Sequence, residues 1–440
     1  MSITALPALE SNRELTVPAT HQQTLDGGLR VIVIRRPAVP LVEVRLRIPF
    51  ATAPLATADV LGQTLFSGTD TMSTVEIAAA LQTVGGGLGA GADPDRLLIS
   101  GNALASGLPR LLEILADVLT GAAYPATEVS TERERLADRI QIARTQPSHL
   151  VRAALLKRVY GTHPYAIQTP TVDEVLAVGS DELRALHTAR LHPAGAVLVL
   201  VGDVDPEQAI DEVATALAGW TGGGEPVELP PAPQPVPGPI DLHDRPDAVQ
   251  SSLRLALPAV GRKHPDFAAL QLANLIFGGY FSSRWTENIR EDKGYTYGPH
   301  SGIEHSVAGS MLVLQAEVAT GVSAPAMVET LYELGRIATV APAAEELEQA
   351  RQYAIGTLLL GIATQAGIAG LTTTYAGYDL ELDHLVTYAR QLADATVDDV
   401  AAAASRYLAP SGASAVILGD ATKIEPSLRT LGPVERKPIE

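Results

Sequence analysis

Arg290 and Tyr297 stand seven residues apart across Gly294, in the stretch FSSRWTENIREDKGYTY from Phe281 to Tyr297. A guanidinium and a phenol are both hydrogen-bond donors, so the two brought together can orient a peptide carbonyl and stabilise charge developing on its oxygen. A serine at 282 or 283 is placed to N-cap a helix, and Gly294 after Lys293 supplies its left-handed stop. Arg290 then falls in the last helical turn and Tyr297 enters the next strand. The same spacing also suits a purely structural use, in which Arg290 favours the helix C-terminus and pairs with Glu287 while Tyr297 packs in the sheet. Gly278-Gly279, just before this helix, reads as permitting a tight turn.

Other chemistries find little support. The chain has no cysteine, which excludes disulfides, thiolate nucleophiles, zinc fingers and iron–sulfur clusters. Gly85-Gly86-Gly87-Leu88-Gly89-Ala90 matches a dinucleotide fingerprint by letter but follows a helical pattern where a strand is required, so it reads as a helix stop and strand entry. There is no G-x-S-x-G and no P-loop. His300 and His305 lack a third ligand nearby and read as surface-loop residues. A balance of 32 basic to 50 acidic residues, net −18, repels nucleic acid and anionic membranes and matches basic peptides better. The first twenty residues, MSITALPALESNRELTVPAT, lack a basic region followed by an apolar one, and no apolar run approaches a membrane span. A cytoplasmic protein is the expectation.

The elements that must position the donor pair come in two matched sets. At 440 residues and 46% hydrophobic, the chain exceeds what one core usually serves. Ser180-Asp181-Glu182-Leu183 leads through Pro193 and Gly195 into AVLVLVGD, ending at Gly202-Asp203; Val397-Asp398-Asp399-Val400 leads through Pro410 and Gly412 into ASAVILGD, ending at Gly419-Asp420, a displacement of 217. VRLRIP at 44–49 answers LRLALP at 253–258, displaced by 209, and Leu65-Phe66-Ser67-Gly68 answers Ile276-Phe277-Gly278-Gly279, displaced by 211. Between the sets, residues 221–239 carry seven prolines and three consecutive glycines and cannot sustain helix or sheet. The expected organisation is an N-terminal domain over 1–222, a linker over 223–239 and a homologous C-terminal domain over 240–440. Alternating strands mixed with longer helical patterns make each an α+β domain, a mainly antiparallel sheet with helices packed on it.

Asp59-Val60-Leu61-Gly62-Gln63-Thr64-Leu65-Phe66-Ser67-Gly68-Thr69 resembles the segment in which insulinase/pitrilysin (inverzincin) zinc peptidases carry H-x-x-E-H before a similar ending. That motif works because positions i, i+3 and i+4 share one helix face, where two imidazoles grip zinc and a carboxylate activates its water. Here the three places hold Asp59, Gly62 and Gln63. The family's last ligand, a glutamate in a later Glu-Arg-rich helix, aligns with Gln141, and Glu134 matches an acid upstream of it. Tyr160-Gly161-Thr162-His163-Pro164-Tyr165 resembles the family's segment before an interdomain-facing loop, which makes His163 a structural turn residue. The Phe281–Tyr297 stretch resembles the family's S-R-L-x-x-x-x-R-E-x-x-G-x-x-Y, with Trp285 in place of the usual aliphatic residue.

The resemblance implies a subunit like the non-catalytic members of bacterial heterodimeric peptidases and of the mitochondrial processing peptidase. Such a chain holds no zinc and is inactive alone. It implies that Arg290 and Tyr297 hydrogen-bond a carbonyl of a bound, unfolded peptide while a homologous H-x-x-E-H partner subunit supplies the zinc. The rivals are a structural scaffold, like the core proteins of respiratory complexes, and a peptide-binding homodimer with no part in catalysis.

Overall fold

Two six-stranded sheets of related topology account for the duplication. The computed structural model describes residues 15–224 and 227–438, so the N-terminal segment as far as residue 14 and Glu225-Pro226 of the linker lie outside the described residues. The first sheet contains β1 (Thr20–Thr24), β2 (Arg30–Arg35), β3 (Leu41–Pro49), β4 (Gly87–Ala92), β5 (Arg96–Leu104) and β6 (Val197–Gly202) in the order β1-β2-β6-β3-β5-β4. The second contains β7 (Ile240–Asp244), β8 (Gln250–Pro258), β9 (His300–Ser306), β10 (Gly309–Ala319), β11 (Ser414–Gly419) and β12 (Val434–Lys437) in the order β12-β7-β11-β8-β10-β9. Both are mixed, with β2–β6 and β7–β11 parallel and the run from β6 to β4, or β11 to β9, antiparallel. They differ at one edge, where β1 runs antiparallel to β2 but β12 runs parallel to β7.

The central strands VLVLVG and SAVILG are buried at every position because helices cover both faces of each sheet. One face of β6 presents Leu198 and Leu200 to its own half's core; the other presents Val197, Val199 and Val201 to Ile368, Ala369 and Tyr375 of the helix Gln365–Gly377. That helix belongs to the second half of the chain. In return, the helix Pro147–Tyr160 of the first half lays Val151 and Leu155 on Ala256, Met311, Val416 and Leu418 of the second sheet. Arg158 fastens this crossing by a 2.7 Å ion pair to Asp241, and Arg152 by two bonds to Glu304 at 2.7 and 3.0 Å. Arg36 and Gln365 do the same for the opposite crossing, Arg36 donating to Ile362 O at 2.9 Å and Gln365 donating to Arg36 O at 2.7 Å.

The Pro/Gly stretch has no regular structure where it is described, as its composition dictates, but it is anchored. His163 Nδ1 accepts from the Tyr165 N–H, which fixes the tautomer, so Nε2–H donates to Pro230 O at 2.9 Å. The Ala232 N–H bonds Ala308 O at 2.8 Å. His163 is thus the turn residue expected, and it also holds the connection. Thr221 to Gly224 are exposed. A broad-specificity protease is therefore expected to nick the chain first at residues 221–224, and the two fragments should travel together through size exclusion until denaturant is added, because each half owns a helix seated on the other's sheet. Fragments that separate under native conditions, or early cuts inside either half, would contradict this.

No single helix among the described residues is long and apolar enough to cross a membrane, and the one helix pair that passes by composition is bent by 105°.

Candidate functional site

The helix Leu55–Thr64 carries Asp59, Gly62 and Gln63, and it is held by Val60, Leu61 and Leu65, all fully buried in the first core. It ends where Gly68 turns at φ 125° into a bridge with Ser73. A Cβ at Gly62 would lie 3.2 Å from Gly91 Cα, so helix and edge strand β4 approach at backbone distance and a side chain there would have to push the strand back by a few tenths of an ångström. Gln63 is exposed, and so is Gln141 on the helix Ala126–Ala143. Glu134, on the same helix, accepts from Ser130 Oγ at 3.0 Å. Among the described residues no group of three or more His, Asp or Glu side chains is placed to hold a metal. One carboxyl, a glycine and a primary amide do not make a zinc donor set, so these residues do not fit the ion that the motif holds in zinc peptidases.

Burial pushes the Asp59 carboxyl up to about 6, and the charge of Arg139, on the neighbouring helix, pulls it partly back. A folded-state value above the unfolded one means that the associated stability is present at low pH and is lost as pH rises through about 6. Asp59→Asn is therefore expected to be more stable than the parent near pH 7.5, by on the order of 1–3 kcal/mol, and indistinguishable from it near pH 4. Melting curves at both pH values check this; a variant no more stable at the higher pH contradicts a buried carboxylate.

The donor pair is built differently from the helix read in the sequence. The helix Phe267–Asn274 runs into a π-helical turn, Leu275–Gly279; a three-residue α-turn, Arg284–Thr286, then runs into a second π-turn, Glu287–Asp292, which carries Arg290. Ser283 occupies the N-cap position without capping, since its Oγ bonds Thr286 Oγ1 at 2.9 Å. Gly294 does take the left-handed stop, at φ 64°. Gly278 and Gly279 are not a positive-φ turn: a Cβ at 278 would meet Ser301 Oγ at 2.8 Å and the Trp285 ring at 2.9 Å, and one at 279 would meet Asn274 Nδ2 at 2.8 Å. Close packing, not backbone freedom, requires glycine there.

Three anchors fix the π-turn that carries Arg290. Arg284 forms a bidentate pair with Glu346 at 2.6 Å, Trp285 Nε1–H donates to Thr330 Oγ1 at 3.0 Å, and Asn288 Nδ2 donates to Glu329 and Glu333 at 3.0 and 2.9 Å. Tyr297 does not enter a strand. It sits on a bend before β9 and is 87% exposed. Its ring centroid lies 5.0 Å from the Arg290 guanidinium carbon, and the Phe281 ring, 61% exposed, lies 4.3 Å from the same atom. The structure therefore brings Arg290 and Tyr297 together through stacking, and it adds Phe281, which sequence reasoning passed over. Arg290 pairs with Glu291 at 3.4 Å, not with Glu287.

No hydrogen bond, ion pair or ring contact joins this pair to Asp59, Gly62, Gln63 or Gln141 among the described residues. A cavity of about 1160 Å³ opens between the start of the helix Leu55–Thr64, the helix Pro147–Tyr160 and the Asp241–His243 end of β7, and it is lined by neither Arg290 nor Tyr297. His300 and His305 lie on β9, not on a loop. His305 is half-buried, its Nδ1 facing Ser310 Oγ at 2.8 Å, and burial holds its imidazole down at about 3.

The profile of the insulinase family, peptidase M16, matches residues 56–171, and that of the peptidase M16 inactive domain matches residues 177–353. An uncharacterized zinc protease of Mycobacterium bovis is 26% identical over 417 residues, covering 91% of this chain and 93% of the relative. A probable inactive metalloprotease of Bacillus subtilis, YmfF, is 27% identical over 217 residues, covering 48% of this chain and 50% of its own. A crystal structure of a peptidase M16 inactive domain from Pseudomonas fluorescens superimposes with a TM-score of 0.84 at 24% identity, over 91% of this chain and 98% of that one. With two tandem sheets in this arrangement and both profiles laid end to end along it, the chain belongs to the insulinase (M16) peptidase family.

Proposed function

We propose that this chain is the non-catalytic, substrate-positioning subunit of a heterodimeric zinc peptidase that hydrolyses unfolded peptides in the cytoplasm. The observation that carries the reading is that Arg290 and Tyr297 stay paired in a chain whose Asp59, Gly62, Gln63 and Gln141 do not make a zinc donor set. Arg290, its side chain 23% exposed, presents in-plane N–H groups, and Tyr297, 87% exposed, a free phenol, so a second subunit can bring a peptide carbonyl to them. Zinc chemistry would come from a homologous H-x-x-E-H partner. This chain's residues fix the carbonyl's direction and lower the cost of charge growing on its oxygen.

Co-expression with an H-x-x-E-H homologue tests it. The expected result is a mixed complex that cleaves an unstructured peptide and contains zinc in proportion to the partner alone, with this chain by itself inactive and without stoichiometric zinc. Tightly held zinc on the isolated chain, or failure to associate with any such homologue, would overturn the reading.

A further inference from the structure

Phe281 is one of only five phenylalanines in the chain, it is 61% exposed, and it belongs to none of the apolar clusters. Its neighbour is the Arg290 guanidinium, whose carbon lies 4.3 Å from the ring centroid. Together Phe281 and Tyr297 cover the guanidinium of Arg290. Nε faces Glu291, which leaves the four N–H groups of the two terminal nitrogens, all in the guanidinium plane, with no protein acceptor among the described residues.

That freedom is unusual in its setting. Glu287 lies three residues before Arg290 on the same turn, and Glu291 and Asp292 follow directly. A surface arginine at that spacing ordinarily closes an i,i+3 pair, as Arg110 does with Glu113 and Arg135 with Glu132 in this chain. Arg290 does not. Attraction to two aromatic faces outweighs a single solvated ion pair, so the rings hold the guanidinium away from Glu287, with 23% of the side chain still exposed.

We infer that Phe281 is a positioning residue that holds Arg290 edge-on, its fork unspent on the neighbouring carboxylates, for an acceptor lying in the guanidinium plane such as the carbonyl of an extended peptide. This rests on the substrate-positioning reading of Arg290 and specifies how that site is kept ready.

The test compares Phe281→Leu, Phe281→Trp, the double variant Phe281→Leu/Glu287→Gln and Arg290→Ala in the mixed complex with a zinc-bearing homologue. Phe281→Leu keeps apolar bulk but loses the π face, and it is expected to lower kcat about tenfold with little change in KM, because the donor is misdirected and not removed. Phe281→Trp should restore turnover, and removing the competing carboxylate with Glu287→Gln should recover part of the loss. A readout on the isolated chain is independent of any partner: the Arg290 side-chain NMR resonances should carry an upfield ring-current shift that Phe281→Leu reduces and Phe281→Trp retains. If Arg290→Ala lowers turnover while Phe281→Leu does not, or if Glu287→Gln recovers nothing, the inference fails and the substrate-positioning reading stands. If Arg290→Ala itself leaves turnover unchanged, that reading fails, and an unchanged Arg290 resonance in Phe281→Leu would remove the ring contact as well.

Discussion

Arg290→Ala, in a complex with a zinc-bearing homologue, is expected to lower turnover of an unstructured peptide about a hundredfold while folding and assembly stay intact, the loss typical of a donor aimed at developing carbonyl charge. The structure separates chemistry from stability here. Among the described residues Arg290 makes no buried hydrogen bond and its one ion pair is the 3.4 Å contact to Glu291, and Tyr297 is 87% exposed, so neither side chain supports the core. Tyr297→Phe is the sharper companion because it keeps the ring beside Arg290 and removes only the hydroxyl. Its loss should be smaller than that of Arg290→Ala and should fall on kcat. Steady-state kinetics with a size-exclusion check on the complex decides the matter. Full activity in both variants with the complex intact would leave only the scaffold reading.

The duplication was legible because it is written in punctuation that composition cannot mimic. Pro193 and Gly195 answer Pro410 and Gly412, and the strands they introduce are the two central ones, β6 and β11. The exchange of helices between halves was not legible. Val151 and Leu155 make an ordinary apolar stripe, and nothing in the order of residues says which sheet it will cover. Ion pairs such as Arg158 to Asp241, between residues 83 apart in the chain, are visible only once the chain is folded.

The site divided in the same way. Loss of the zinc set followed from residue type at i, i+3 and i+4, because no folding can turn Gly62 into a ligand. Why glycine fits there required the backbone contact with Gly91. Tyr297 was expected in a strand, but Gly298 and Pro299 delay β9 until His300. The π-turn under Arg290 has no sequence signature, since widening the hydrogen-bond ring depends on anchors from elsewhere, here Glu329, Glu333 and Glu346. Phe281 escaped notice because an apolar letter reads as core by default, and the feature that gives it meaning is its contact with Arg290 in the folded chain.

Trp285→Ala is expected to cost about 3–5 kcal/mol of stability, the range for removing a fully buried aromatic side chain. Trp285 is 1% exposed, lies flat on Phe277 with centroids 5.5 Å apart and planes 11° apart, and donates Nε1–H to a Thr330 hydroxyl that itself donates to Ala326 O. The ring also explains Gly278, where an added Cβ would sit 2.9 Å from Trp285 Cε3 and 2.8 Å from Ser301 Oγ. The two positions therefore fit each other: the indole occupies space that a side chain at 278 would need. Gly278→Ala alone should destabilise through overpacking, by about 1–3 kcal/mol. Combined with Trp285→Leu, which vacates part of that space, it should cost less than the two single changes added together, because the new methyl partly fills the gap. Denaturant unfolding of the four proteins gives the coupling energy. Strict additivity would mean that Ser301, not the indole, sets the need for glycine at 278.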